Sequence, residues 1–298
     1  MNKPEGLTSF DVIRKLRKVM PKRIKMGHLG TLDPQARGVL PIAIGKATRL
    51  IPYIEDSSKE YIAEMTLGGI SDTYDAWGNI CYTGKTSFNH DTLNEVLDSF
   101  RGRIKQVPPM YSAVHYQGRR LYELARAGKS VRIPEREVEI FLIKLLSVAS
   151  EGKYPRIRLE VHCSKGTYIR SLCHDIGQRL GTGGFLSSLV RTRAGAFCLS
   201  EAWSLDTLLL GEKSVDDFLL PMDYPLADMA DYRLPSHEEV LAMLNGRALV
   251  INSNHLSPGR VKVWSPGNKL VAIAVIENSV PHGLVKPEKI LVSNSDET

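Results

Sequence analysis

A chain of 298 residues corresponds to about two domains at roughly 150 residues each, every one long enough to bury a core of its own. With 43% hydrophobic and 24% charged residues, 24 Gly and 16 Pro, the composition is that of a globular protein and excludes disordered, collagen-like and low-complexity chains. Lys and Arg outnumber Asp and Glu by 39 to 33, a net charge of +6.

The longest run free of charged residues, from Gln106 to Gly118, is polar and contains two prolines, so no membrane-spanning helix is expected. The opening residues, Met1 to Gly6, lack the apolar core of an export signal, which makes the cytoplasm the expected location. Cys81, Cys163, Cys173 and Cys198 are too far apart for zinc or disulfide-scaffold spacing, and no metal site is expected.

Thr8-Ser9-Phe10-Asp11 has the form of a capping box, and Val12, Ile13, Leu16, Val19 and Met20 then recur at helical spacing, predicting a basic amphipathic helix. The stretch from Gly27 to Pro34 is punctuated by glycines and suits a shaped loop better than a helix or strand. A short apolar run follows at 39–44. Alternating apolar residues predict strands over 59–67, 138–145 and 156–163. Ile169, Leu172, Cys173, Ile176 and Leu180 share one helical stripe, closed by a glycine-rich loop at 181–184. The acidic stretch 214–231, with Pro221 and Pro225, reads as a partly packed linker. Beyond it, 261–264 and 269–276 flank a turn signal as a β-hairpin, and 286–292 reads as a closing strand. Strands with helices inserted between them make the fold class α+β, divided near Asp231 into domains of residues 1–231 and 232–298.

Charge is uneven along the chain. Residues 12–54 carry ten Lys or Arg against one acid, Asp33; 101–132 carry eight against Glu123; 153–193 carry eight against two; and 201–240 reverse this with ten acids and two bases. On a shared face the basic segments would suit a phosphate backbone; dispersed, they are ordinary solvated charge.

Asp33 is the first candidate for chemistry. Lys22, Arg23, Lys25, Arg37, Lys46 and Arg49 surround it in sequence, and if they surround it in space they hold it ionised, ready to act as nucleophile or base. Taken alone, a turn-capping aspartate is the simpler account. Gly166-Thr-Tyr168-Ile-Arg170 lies where a strand gives way to a helix; its tyrosine offers a stacking face and its arginine a forked donor, although a lone Tyr168 reads more readily as a half-buried core aromatic. Asp72 and Asp75 add two carboxylates at a spacing that fits an ordinary loop as well as an acid–base pair. The run from Ile44 to Thr48 fails as a phosphate loop, because Leu40 stands where the first glycine belongs and Ala47 follows the lysine. With no Gly-x-Gly-x-x-Gly, His-Glu-x-x-His or Gly-x-Ser-x-Gly, nucleotide-cofactor, zincin and hydrolase readings have no support.

Five motifs occur in order: Lys3-Pro-x-Gly-x-Thr-Ser9, Gly27-His-x-Gly-x-Leu-Asp33-Pro-x-Ala-x-Gly-Val-Leu-Pro, Lys59-x-Tyr61, Val107-Pro-Pro-x-Tyr-Ser-Ala113 and Gly166-Thr-Tyr168-Ile-Arg170-Ser-Leu. Together they resemble the TruB family of tRNA pseudouridine synthases over about residues 1–200. Residues 244–291, through Gly259-Arg-Val-Lys-Val and Leu284-Val-Lys-Pro, are similar to a PUA RNA-binding domain.

The resemblance implies a catalytic domain on a mixed sheet, with an RNA-contacting insertion, and a small β-rich PUA-like domain. It further implies isomerisation of uridine 55 in the T loop of tRNA to pseudouridine, with no cofactor and no metal, by a monomer that needs neither guide RNA nor protein partner. Asp33 would be the catalytic aspartate, Tyr61 would stack on the flipped uracil, Tyr168 would help the final proton transfer, and Arg170 would pair with Asp33. Among substrate-binding residues, His28 would fill the space of the extruded base, Asp75 would extend the Arg170 network and Leu189 would line the pocket. Family members usually carry an apolar strand ahead of the Lys-Pro-x-Gly motif, so the expectation here is a first strand that is shortened or missing, or a start codon assigned too late. A non-catalytic RNA-folding protein and a guide-dependent synthase are the alternatives.

Overall fold

The computed structural model describes residues 1–21, 23–54, 58–129, 131–150, 152–210, 214–251, 257–278 and 282–292. The chain forms two compact units: Met1–Leu16, Gly30–Pro41 and Glu55–Leu210 make the first, and Arg17–Leu29, Ile42–Ile54 and Gly211–Thr298 the second.

The first unit is built on an eight-stranded sheet. Lys59–Leu67 lies between Gly184–Ala194 and Arg156–Cys163, antiparallel to both. Beyond Arg156–Cys163 come Arg136–Ala149 and then Gly102–Gln106. On the other side, Arg37–Val39 runs parallel to Gly184–Ala194, and the two-residue strand Asn2–Lys3 pairs antiparallel with Gly38 and Val39. The sheet is therefore mixed, as the resemblance implied, and its first strand, expected to be shortened or missing, is present with two residues. Alternation places Tyr61, Ala63, Met65 and Leu67 on one buried face, beside Ile157, Leu159, Val161 and Cys163 of the neighbouring strand. The helix Ile169–Arg179 packs on Gly184–Ala194 and Lys59–Leu67, with Leu172, Cys173 and Ile176 fully buried. Each such aliphatic side chain contributes about 1.5–3 kcal/mol by leaving water.

Two local expectations need correction. The N-terminal helix spans only Ser9–Leu16, so Val19 and Met20 fall beyond it. Its start is capped as predicted: Thr8 N–H donates to Asp11 Oδ2 at 3.0 Å and Asp11 N–H to Thr8 Oγ1 at 3.0 Å. The glycine-punctuated stretch is not all loop, because Met26–His28 pairs as a strand with Ile42–Ile44. Pro41 separates that strand from Arg37–Val39, since its ring removes the N–H a continuous ladder would need.

The second unit centres on a five-stranded sheet in the order Ala230–Arg233, Gly259–Trp264, Leu270–Asn278, Gly283–Ile290, Leu249–Ile251. The first pairing is parallel and the rest antiparallel. The helix His237–Leu244 buries Val240 and Met243 against a core that includes Val261, Val263, Val271, Ala274 and Val285. The ladder of Met26–His28 with Ile42–Ile44 belongs to this unit. The turns that follow it reach the sheet: Arg49 Nη1 donates to the Ile290 carbonyl at 3.1 Å, and the Arg260 guanidinium lies 5.4 Å from the Tyr53 ring centroid. The acidic stretch holds short 3-10 turns at Val215–Phe218 and Tyr224–Leu226, the second burying Leu226.

Candidate active site

The N-terminal motif, far from being a loose tail, clamps the loop that carries Asp33. The Lys3 side chain is fully buried, and its ammonium donates to the carbonyls of Pro4, Leu7 and Pro34 at 2.8, 2.6 and 3.2 Å. Ser9 Oγ accepts from Leu32 N–H at 2.9 Å and donates to the Leu32 carbonyl at 3.1 Å. Gly6 N–H donates to the Pro34 carbonyl at 2.8 Å. The main chain on both sides of Asp33 is thereby fixed, which leaves its carboxylate as the free end of a rigid loop.

Arg170 occupies the first turn of Ile169–Arg179 and is 4% exposed. Its Nε lies 2.9 Å from Asp33 Oδ2, and its Nη2 donates to Asp33 Oδ1 at 3.1 Å and to the Tyr111 carbonyl at 2.8 Å. Its Nη1 donates to the Thr73 carbonyl at 3.3 Å and faces Asp75 Oδ2 at 3.5 Å. Asp75, also buried, accepts from Thr73 Oγ1 at 2.7 Å and Trp77 N–H at 3.0 Å. The guanidinium thus joins the half-buried Asp33 to the buried Asp75, and the side facing Asp75 is shielded from water, where charge-assisted bonds are strongest.

The expectation that sequence neighbours hold Asp33 ionised needs correction. Burial pushes its carboxyl above the ordinary value, Arg170 pulls it down, Asp75 pushes it up again and Lys3 pulls it down. The cations whose charge acts on Asp33 are Arg170 and Lys3; of the bases near it in sequence, Lys22 lies outside the described residues and Arg37 is exposed. The cations that act on Asp33 come from distant parts of the chain.

Asp33 and Arg170 line a cavity of about 340 Å³ together with Tyr61, Tyr168, Leu189 and Arg191, while Asp75 stands behind Arg170, outside the lining. Tyr61 is 8% exposed, and burial pushes its hydroxyl up to about 12, so it stays a neutral ring. Tyr168 precedes the helix as its cap residue. Gln106 holds both its backbone groups, accepting from the N–H at 2.7 Å and donating to the carbonyl at 3.0 Å. Burial raises its pKa, and Ser112 opposes the rise. Leu189 is 6% exposed, opposite Ala63 in the sheet. His28 ends the strand Met26–His28, in the second unit. Sequence reasoning missed Gln106 and Arg191: a glutamine ahead of a proline pair and one more arginine in a basic segment carry no local signal.

The residues match a known family profile. Residues 17–169 match the TruB family pseudouridylate synthase N-terminal domain, and 170–227 match the tRNA pseudouridylate synthase B C-terminal domain. The chain belongs to the TruB family. Among its relatives, the tRNA pseudouridine synthase B of Syntrophomonas wolfei is 49% identical over 294 residues, covering 99% of this chain and 98% of that protein. The enzyme of the same name from Clostridium kluyveri is 41% identical, covering 92% and 93%. Among solved structures, a Cbf5-Nop10-Gar1 complex gives a TM-score of 0.72 at 26% identity, covering 99% of this chain and 84% of that one. An H/ACA RNP bound to a substrate RNA containing 2'-deoxyuridine gives 0.71 at 25% identity, covering 98% and 83%. Membership makes the chain a pseudouridine synthase.

Proposed function

We propose that this synthase isomerises uridine 55 in the T loop of tRNA to pseudouridine, with Asp33 as its catalytic carboxylate. The observation that carries the reading is Asp33, half-buried on the wall of a cavity that also presents two tyrosine rings and held there by the buried Arg170–Asp75 pair. A uridine stacked in a folded loop cannot reach such a cavity, so it is extruded at a cost of about a few kcal/mol. His28 takes the vacated place in the RNA, Tyr61 stacks on the uracil, and Leu189 packs against it.

Asp33 then acts on the sugar, as nucleophile at the anomeric carbon or as base, and both roles require the anion. The bond from C1′ to N1 breaks with its electron pair going to the uracil, the uracil turns, and a bond from C1′ to C5 forms as the Asp33–C1′ bond breaks or the sugar proton held by Asp33 is returned. The C5 proton then leaves to water with the help of Tyr168, and N1 takes one up. Substrate and product are isomers, so the balance calls for no oxidant, reductant or cofactor. Arg170 keeps the carboxylate aimed, and Asp75 keeps Arg170 aimed. The inserted segment exposes Arg119, Arg120, Arg126 and Lys129, which supply phosphate contacts that fix register while the extruded base supplies selection. The first unit carries the catalysis, and the second, which begins ahead of the expected boundary at Asp231 because the strand Ala230–Arg233 belongs to its sheet, contributes the PUA-like RNA binding expected of residues 232–298. The enzyme works in the cytoplasm as a monomer, without guide RNA, metal or protein partner. Its near full-length likeness to enzymes named for tRNA supports this over the guide-dependent reading that the Cbf5 and H/ACA likenesses favour.

The test is tritium release from a T-arm transcript labelled at uracil C5, without guide RNA or metal, by the intact protein and by Asp33→Asn. Release that disappears in Asp33→Asn while transcript affinity stays within a few-fold is expected. Normal release by the variant ends the catalytic role of Asp33, and binding without release by the parent protein favours the guide-dependent or RNA-folding readings.

A further inference from the structure

We propose that Arg191 is a positioning residue for this reaction, tying both ends of the Asp33 loop to the tyrosine on which the base stacks. The inference rests on the reading of Asp33 and Tyr61 given above. Arg191 is 1% exposed and stands among the largest fully buried side chains. The hydrogen-bond partners of its guanidinium among the described residues are all neutral: Nε donates to the Val39 carbonyl at 2.9 Å, Nη2 donates to the Gly30 carbonyl at 2.9 Å, and the guanidinium also bonds to the Tyr61 hydroxyl. A buried cation facing neutral oxygens is costly, and its side chain earns its place only through what it holds.

The loop from Gly30 to Val39 begins and ends on this one guanidinium, with Asp33 between. In the sheet Arg191 lies opposite Tyr61 on one side and Gly38 on the other, beside a register break at Arg191/Arg193 that is suited to re-aiming a side chain. Both glycines are shaped around it. Gly30 has φ +73°, and a Cβ there would stand 3.3 Å from Arg191 Nη1; Gly38 has φ +114°, and a Cβ there would stand 2.2 Å from the Arg191 carbonyl oxygen. Lys3 and Ser9 grip the middle of the loop from its other side, so Arg191 decides where the ends sit. A planar fork can span two carbonyls and a hydroxyl, whereas a lysine ammonium is a point donor.

The experiment compares Arg191→Lys, Arg191→Met and Asp33→Asn in the full chain, measuring single-turnover tritium release, transcript affinity and thermal unfolding. Arg191→Lys is expected to melt cooperatively and bind the transcript within about three-fold, yet turn over about 10- to 100-fold more slowly, as a loop displaced by about 1 Å would. Arg191→Met is expected to be slower still, with part of its rate restored by methylguanidinium and none by ammonium. A wild-type rate in either variant overturns the proposal, and so does a rate loss matched by an equal loss of affinity. Failure of both variants to melt cooperatively overturns it too, by making Arg191 a folding residue. An active Asp33→Asn sinks the parent reading, whereas an inactive Asp33→Asn beside a fully active Arg191→Lys sinks this inference alone.

Discussion

The two sheets of this protein bury different things. In the five-stranded sheet the buried residues are almost all aliphatic, from Val261 and Val263 through Val271 to Val285, and the one buried charge among its strands, Lys262, reaches out to the exposed Asp231 at 3.2 Å. In the eight-stranded unit, Lys3, Asp75, Arg170 and Arg191 are all buried; Lys3, Arg170 and Arg191 hold the Asp33 loop, and Asp75 holds Arg170. Burial of charge weakens a core unless every group is partnered, so its concentration around Asp33 is what the proposed catalytic role of that loop would require. The first sheet carries its buried charges beside a cavity; the described interior of the second is packed with aliphatic side chains.

The sharpest way to break that contrast is Arg170→Met. It removes the partner of two carboxylates and strands the Thr73 and Tyr111 carbonyls, so turnover should vanish and stability fall by about 3–5 kcal/mol in urea unfolding. A well-folded, active Arg170→Met would make the network ornamental. The matching change in the other sheet is Ile276→Ala, at a position 1% exposed. It should cost about 2–5 kcal/mol through the cavity it leaves, while single-turnover release at saturating T-arm transcript stays within about two-fold. A large loss of rate in the folded variant would mean that the second sheet also serves the chemistry.

Acidity sharpens the comparison further. Because burial lifts the Asp33 carboxyl above its ordinary 3.8, and catalysis needs the anion, the single-turnover rate should fall as pH drops through that raised value. Arg170→Lys, with a weaker grip on the carboxylate, should shift this acid limb to higher pH. The same group acts on stability in the opposite sense: its folded pKa exceeds its unfolded one, so its contribution is full below the unfolded value and lost as pH rises through the folded one. A rate limb that is unmoved by Arg170→Lys would detach the limb from Asp33. The smallest effect concerns the surface: Arg119→Gln should weaken transcript binding modestly and lower the slope of log affinity against log salt by about 0.9, the value for one phosphate contact on a duplex stem. An unchanged slope would take Arg119 off the RNA.

Much of this was legible in the residues. Period-two alternation gave the strand Lys59–Leu67 both its ends, because each side chain there meets either core or its opposite. The stripe from Ile169 to Ile176 gave the helix that carries Arg170. The N-terminal helix was overcalled at Val19 and Met20, since apolar spacing continues past the point where the chain passes into another unit. The motifs placed Asp33, Asp75, Arg170, Tyr61, Tyr168 and Leu189 in one site, and they do line or adjoin one cavity. Arg191 and Gln106 were not legible, because each works through main-chain groups far away in sequence, and a carbonyl has no residue type.

What the sequence determined by itself is therefore the local vocabulary: which segments alternate, where a helix is capped, and which side chains can do chemistry. The family resemblance already paired Arg170 with Asp33, 137 residues away; only the tertiary structure decided that Gln106 and Arg191 brace the site through main-chain groups, that Lys3 acts on Asp33, and that burial raises the carboxyl. The physical reason is range. Periodicity and capping are settled within a few residues, whereas desolvation and Coulomb interaction depend on distance through space, which the chain sets only once it has folded.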